Sequence, residues 1–578
     1  MLCNARNPLL ILLLSLACFW STGAATTPIS RRNATARQPN FVFIITDDQD
    51  LLLDSLEYQP LLKKHITDQG TTFSKHYCTI SICCPSRVSL LTGRAAHNTN
   101  VTDVSPPYGG YPKFLSEGWN EKYLPVWLQD AVFLDPATYT YYNVTMQRNE
   151  EAPKAYPGEY STDLVAARSL EFLDEAIPAG KPFFIGVAPI GPHAQTINGR
   201  FDPAVPADRH KDLLPGLKVP RTANFNPDVA SSASWIKTLE KFNETVVDYI
   251  DEFYRTRILS LLAVDELVDS IVRRLEEADP EVLENTYIIY TTDNGYHVGQ
   301  HRLAPGKTCP IEEDVNIPFI VRGPGVAKGE EVSFPTSHTD IVPTIFELAG
   351  IPLQEGFDGE PIPVTAAQRD AAEQEKTPRT EHVNIEYWGD SILEGGYPSV
   401  GSGVNGSDGL NNTYKSLRVI GSGYDLFYTV WCSNEHELYE MQSDPVQMNN
   451  LYPPDEESTN STTTTTTTTT KIYNWETSKL IARLDALLLT LKSCAGSTCR
   501  RPWAALHPQG DVASLAQALD PRFDAFYAEG QEKVTFSACA PGYITEYEGA
   551  LESRPFGGGG SNNNNNRIPE LARWEDWT

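Results

Sequence analysis

Basic residues are scarce in this chain of 578 residues: 46 Lys and Arg stand against 75 Asp and Glu, a formal net charge of −29. No Lys/Arg block interrupts that balance. Phosphate backbones need a concentrated basic surface, so the composition argues against nucleic acid as a partner. Long hydrophobic runs are equally rare. The one present, PLLILLLSLACFW at residues 8–20, falls short of the roughly 20 apolar residues that span a bilayer. It follows a short stretch with one Arg and precedes Ser21-Thr22-Gly23-Ala24-Ala25, the layout of a secretory signal over residues 1–25. The expectation is a soluble, exported protein without a membrane span.

Seven N-x-S/T sequons agree with that route, at Asn33, Asn100, Asn143, Asn243, Asn405, Asn411 and Asn460. Of ten cysteines, Cys3 and Cys18 leave with the signal and eight remain. An oxidising compartment pairs most of them, with Cys494 and Cys499 the obvious local pair. A chain this long exceeds one ordinary core. It reads as a large domain over 26–400, a smaller α+β domain over 401–550 with a Thr-rich loop at 461–470, and a low-complexity tail over 551–578.

Within the large domain apolar strands alternate with helices. Residues 40–46, 182–190, 287–292 and 317–322 read as buried strands, and 162–176, 235–278 and 340–349 as helical stretches. That alternation predicts an α/β fold, a mostly parallel sheet sandwiched by helices. Ligands of such sheets sit beyond the carboxyl ends of strands. Three ends carry polar groups there: Asp47 with Asp48, His193, and Asp293 with Asn294. Three carboxylates and one amide oxygen make a hard site, suited to Ca²⁺ or Mg²⁺ rather than zinc.

Cys83-Cys84-Pro85-Ser86-Arg87, followed by Leu91-Thr92-Gly93-Arg94, is the densest motif. Pro fits a first helical turn, so residues 85–94 are expected to be helical with Cys83 just outside the positive end. The pattern C-x-P-S-R-x-x-x-L-T-G resembles the signature of the type I sulfatases. Further blocks are similar too: Pro192-His193, Gly306-Lys307-Thr308, PFIVRGP at 318–324, and Glu437-Leu438-Tyr439 with Asp444-Pro445, which resembles the opening of that family's C-terminal subdomain. The chain as a whole looks most like the secreted arylsulfatases of filamentous fungi.

The resemblance implies an alkaline-phosphatase-like fold and a set of roles. Cys83 is oxidised by the formylglycine-generating enzyme in the endoplasmic reticulum, and the aldehyde hydrate is the nucleophile. Asp47, Asp48, Asp293, Asn294 and the modified Cys83 hold one Ca²⁺, with Mg²⁺ the alternative. Arg87 and Lys307 bind the sulfate of a small ester, and His193 protonates the departing alcohol. His297, two residues beyond Gly295, is a candidate further contact to sulfate.

One block departs from the family pattern. Sulfatases place a Gly-Lys and a nearby His on a strand between the Cys motif and the His193 block. Here LPVWLQDA at 124–131 runs directly into Val132-Phe133-Leu134, with no His between His97 and His193 and no Lys between Lys122 and Lys154. A skipped exon explains this best, and a genuine deletion is the alternative. Three function classes follow: an arylsulfatase, a phosphate or phosphonate monoester hydrolase of the same superfamily, and a secreted glycoprotein without turnover.

Overall fold

The computed structural model describes residues 38–124, 131–133, 138–197, 200–375, 380–395, 412–453 and 471–557. The expected signal, the Thr-rich loop, the tail beyond 557 and the sequons at Asn33, Asn405, Asn411 and Asn460 lie outside them. Asn100, Asn143 and Asn243 are exposed.

Six strands form the central sheet: β1 (Asn40–Thr46), β2 (Thr71–Phe73), β3 (Phe184–Val187), β4 (Thr286–Thr292), β5 (Phe319–Arg322) and β6 (Glu330–Val332), in the order β6-β2-β5-β4-β1-β3. β1 pairs in parallel with both β4 and β3, and β5 alone runs against the others. The period-2 alternation of strand side chains assigns each residue to a layer. Val42, Ile44, Ile288 and Tyr290 face one way, onto the 33-residue helix α3 (Glu244–Glu276) and α2 (Ser161–Ala176). Phe41, Phe43, Tyr287 and Ile289 face the other way, onto α1 (Cys83–Thr92) and α4 (Ile341–Ala349). Both faces are covered, which is why these strands read as continuous apolar runs.

β3 is shorter than the expected 182–190. Its backbone leaves the sheet at Ala188-Pro189, where proline offers no N–H to a ladder. The expected stretch 235–278 divides into Ser234–Lys237 and α3, because Asn243 caps the long helix by accepting a hydrogen bond from Val246 N at 3.1 Å.

A second, antiparallel sheet runs β7 (His382–Tyr387), β8 (Tyr414–Gly421), β9 (Tyr424–Trp431), β10 (His436–Glu440). Leu417, Val419, Leu426 and Tyr428 pack on α5 (Thr477–Leu491), while Tyr414, Phe427 and Trp431 face Tyr77, Ile80 and Ile311 of the larger part. The sheet's first strand precedes residue 401, and the Glu437-Leu438-Tyr439 segment is its last strand rather than its opening. The Cys494–Cys499 disulfide is present, with a second between Cys432 and Cys539. Cys78, Cys84 and Cys309 stay unpaired alongside Cys83, so half of the eight cysteines are bridged, not most. The Sγ atoms of buried Cys78 and Cys309 meet protein oxygens instead, the Asp314 carbonyl and the Asn412 amide.

Buried acids and buried histidines pull the pH response in opposite directions. Burial pushes Asp265 up to about 6 and Glu313 and Asp340 up to about 7. Between their unfolded values near 4 and these folded ones, the native state holds more protons, so stability falls as pH rises. Glu386 acts oppositely: burial is outweighed by His97 and Lys415, which hold it at about 2, so its contribution is full above 4.5 and fades as pH falls toward 2. Buried histidines act against the raised acids: burial lowers His301 to about 3 and His338 and His382 to about 4, so their contribution is full above 6.5 and is lost as pH falls. The acid contribution is therefore read by difference: Glu313→Gln copies the protonated acid, and its melting temperature relative to the parent should rise from pH 5 to pH 8, by on the order of 3 °C. A difference that stays constant or falls over that range would contradict the assignment.

Candidate active site

Strand register assembles the site. Thr46 lies beside Thr292, and the pairing of β1 with the β3 side continues to Asp47 opposite Pro192. Asp47-Asp48, Asp293-Asn294 and His193 therefore emerge side by side, although up to 247 residues separate them in the chain. Asp48 has φ 67°, the left-handed region that a non-glycine residue occupies at some cost. Its place is overdetermined: Asp48 N donates to Asp293 Oδ1 at 3.0 Å, Asn294 Nδ2 donates to Asp48 Oδ1 at 2.6 Å, and the Asp48 carbonyl accepts from Arg257 Nη2.

α1 brings the thiol. The helix begins at Cys83, two residues earlier than expected, and ends at Gly93, φ 68°. Cys83 is thus the first helical residue rather than just outside, with the free N–H groups of the first turn around it. Its Sγ lies 3.7 Å from Asp47 Oδ1, 3.9 Å from Asp48 Oδ1 and 3.1 Å from Lys307 Nζ. One turn on, Arg87 Nη2 lies 2.6 Å from Asp47 Oδ2 and 2.7 Å from Asp293 Oδ2. Ser86 packs beneath, its hydroxyl 2.5 Å from the Asp293 carbonyl and 3.0 Å from His338 Nδ1.

Lys307 arrives on a two-residue ladder, Gly306–Lys307 against Ile392–Leu393. A Cβ at residue 306 would stand 2.3 Å from the Ile392 carbonyl, so only glycine permits this approach. Lys307 Nζ reaches Asp48 Oδ1 at 2.5 Å. His193 Nε2 sits 3.5 Å from Asp48 Oδ2. Its Nδ1 is fixed on the Ala194 carbonyl, its own carbonyl accepts from Tyr141, and its ring stacks on Tyr139 at 4.5 Å.

The charges are strongly coupled. Burial pushes Asp47 up to about 6, despite Arg87. Asp48 is also buried, yet Lys307, His193 and Arg257 together hold it well below the usual carboxylate range. Burial drives the Cys83 thiol far above its ordinary value, with Lys307 only partly opposing, so an unmodified Cys83 is a neutral thiol and a poor nucleophile.

A cation fits these donors. Asp48 Oδ2, Asp293 Oδ2 and Asn294 Oδ1 are buried without a hydrogen-bond partner; Arg87 is near enough to Asp293 Oδ2 for charge pairing but off the hydrogen-bond line. Leaving such atoms unmatched costs about 1–3 kcal/mol each. Ligand atoms of Asp47, Asp48, Cys83 and His193 also fall within 4.8 Å of one another. An oxygen-dominated cluster is the donor set of Ca²⁺ or Mg²⁺.

The profile of the Sulfatase family matches residues 39–351, which carry every strand-end group described above. The chain belongs to the sulfatase family. "Sulfatase ppz1" of Metarhizium majus (strain ARSEF 297) is 43% identical to this sulfatase over 517 residues, covering 89% of this chain and 97% of that protein. An arylsulfatase of Volvox carteri is 35% identical over 86% of this chain and 81% of its own. Human N-acetylglucosamine-6-sulfatase is 30% identical over 86% and 90%. Among solved structures, BT4656 in complex with its substrate D-glucosamine-2-N,6-O-disulfate superposes with a TM-score of 0.55 at 18% identity, over 72% of this chain and 94% of that one. The fold of the sulfatase is accordingly alkaline-phosphatase-like, as the motifs implied.

The structure of the sulfatase gathers Asp47, Asp48, Cys83, Arg87, His193, Asp293, Asn294 and Lys307 around one point. His297 exchanges backbone hydrogen bonds with Gly306, next to Lys307, while among the described residues no hydrogen bond or ion pair joins its ring to that set. It is buried, its Nδ1 lies 2.8 Å from Asp314 Oδ1, and its Nε2 has no partner. Among the described residues, hydrogen bonds and ion pairs to Cys83, Asp47 and Asp48 bring in one lysine, Lys307, and one histidine, His193. Ala131–Phe133 joins Tyr142–Arg148 in a separate small sheet and leaves the central one alone.

Three contributors escape the sequence reading. Arg257 was legible in principle, as an Arg within the apolar stripe of Phe253, Tyr254, Ile258 and Leu261 on α3. Tyr139 and Glu394 sit in no motif. Glu394 Oε1 lies 3.1 Å from Lys307 Nζ and 4.0 Å from His193 Nε2.

Proposed function

We propose that this sulfatase hydrolyses sulfate monoesters of aryl alcohols, with formylglycine derived from Cys83 and one Ca²⁺. The convergence of Lys307 Nζ on Cys83 Sγ at 3.1 Å, in front of three carboxylates, carries the reading. A cation held by Asp47, Asp48, Asp293 and Asn294 would offset their charge and favour an ionised oxygen at position 83. Conversion of Cys83 during passage through the secretory route would supply a hydrate hydroxyl in place of the inert thiol.

The remaining roles belong to fixed side chains. Arg87 and Lys307 hold the sulfate oxygens and neutralise charge that grows as the ester bond breaks. His193, whose Nδ1 is anchored on Ala194, turns Nε2 toward the site, where it gives a proton to the leaving oxygen. Secretion agrees with the leader and the exposed sequons, and no helix among the described residues is long and apolar enough to cross a membrane.

Leaving-group dependence tests the assignment. His193→Ala should lower kcat/KM for phenyl sulfate by about 10²–10⁴-fold, and far less for 4-nitrophenyl sulfate, whose phenolate departs without a proton. Equal losses would remove His193 from the acid role. Phenyl phosphonate turnover above that of phenyl sulfate would move the enzyme to the phosphonate class.

A further inference from the structure

Two buried polar atoms beside the reacting groups have no part in that scheme. Glu394 directly follows the short strand that pairs with Lys307, its N donating to the Pro305 carbonyl at 2.8 Å. The residue is 2% exposed. Its Oε1 lies between Lys307 and His193, which places it on the side where the alcohol departs. Its Oε2 has no hydrogen-bond partner. Nor has the buried Tyr296 hydroxyl, whose ring lies 3.8 Å from the Arg257 guanidinium that donates to the Asp48 and Pro192 carbonyls beside the site.

The chemistry of the pair is specific. Asp47, Asp48 and Asp293 already supply three carboxylates, and a fourth this close repels sulfate rather than binding it. A carboxylate only accepts hydrogen bonds, whereas a phenol donates and accepts. Together they match a hydroxyl, which donates to one and accepts from the other. A plain aromatic ring in that position would leave both buried atoms unmatched, a loss comparable to the bonds forgone.

We infer that Glu394 and Tyr296 form a subsite for a hydroxyl adjacent to the ester oxygen, so that the preferred substrate is the monosulfate of a vicinal diol. The inference deepens the hydrolase reading and rests on it. Binding is measured by calorimetry on full-length Cys83→Ala protein with calcium, where turnover does not intervene. Catechol monosulfate should bind about tenfold or more tightly than 2-methoxyphenyl sulfate, its methyl ether. A parallel pair, trans-1,2-cyclohexanediol monosulfate and its methyl ether, separates a phenolic from a sugar-like source of the same hydroxyl.

Adding Glu394→Ala should cut the ratio below about 2 while the ether's affinity stays within about threefold, and Tyr296→Phe should lower the ratio in part. Glu394→Gln keeps an acceptor for Lys307 and guards against a folding defect in the alanine variant. Equal affinities for both members of each pair in the parent would assign the two atoms to a resident water and overturn the subsite. Equal loss of hydroxyl and ether on Glu394→Ala would reduce Glu394 to a support for Lys307, and failure of every sulfate to bind would overturn it as well. A preserved ratio without sulfate release by the Cys83 protein would defeat the hydrolase reading alone.

Discussion

Cys83→Ala is expected to abolish sulfate release from 4-nitrophenyl sulfate, by at least about 10⁴-fold, with the fold retained. The asymmetry follows from what the side chain touches. Cys83 Sγ meets Asp47, Asp48 and Lys307, and none of the packed apolar layers depends on it. Removing one sulfur there leaves a small void, with a cost of about 1 kcal/mol or less. In the proposed reaction position 83 supplies the hydrate hydroxyl that attacks sulfur in front of both cationic groups, and alanine supplies none. Cys83→Ser separates modification from mere nucleophilicity. A serine ester of sulfate has no second hydroxyl with which to expel its sulfate, so that variant should gain one sulfuryl group per chain by mass spectrometry and then stall. An aldehyde-reactive peptide containing residue 83 in the secreted parent, absent from both variants, completes the test. Undiminished turnover by Cys83→Ala would refute the nucleophile assignment.

How far the sequence discloses this site depends on how local each signal is. Asp47-Asp48 and Asp293-Asn294 are legible because each doublet ends an apolar run, and parallel register then forces the ends together. Cys83 and Arg87 are legible because the C-x-P-S-R signature is contiguous in the chain, and the helix that starts at Cys83 then sets them one turn apart. Glu394 is not, because its position depends on a two-residue ladder formed only after residues 306 and 392 meet. Tyr139 acts by stacking on a ring 54 positions away, and nothing near it in sequence announces that contact. The cysteine count misleads for a related reason. Compartment chemistry favours pairing, but Cys78 and Cys309 are already buried against protein oxygens in the core.

Messenger RNA spanning the codons for Ala131 and Val132 is expected to carry an in-frame segment that encodes a strand with a Lys and a His, and the protein made from it should exceed the present chain in kcat/KM by at least about 10³-fold. The structure supplies a physical motive beyond the family pattern. β3 has β1 on one side, and among the described residues its outer edge has no partner strand. Along that edge lies a cavity of about 690 Å³, walled by Phe43, Leu90, Leu91 and Phe172 and opening onto Asp47 and Arg87. Close-packed interiors do not hold voids of that size, and an unpaired inner strand edge leaves its N–H and C=O groups unmatched. An added strand would pair the edge, fill the void with its apolar side chains and deliver polar ones at the end where Asp47 and Arg87 stand. The longer protein should therefore also melt higher, by on the order of 5 °C or more. Both effects come from one insertion, so they can be measured together on the two secreted forms. Transcripts that join the two codons without an insert, from a protein that turns over aryl sulfates at an ordinary rate, would show that the cavity is native and that Lys307 and His193 suffice.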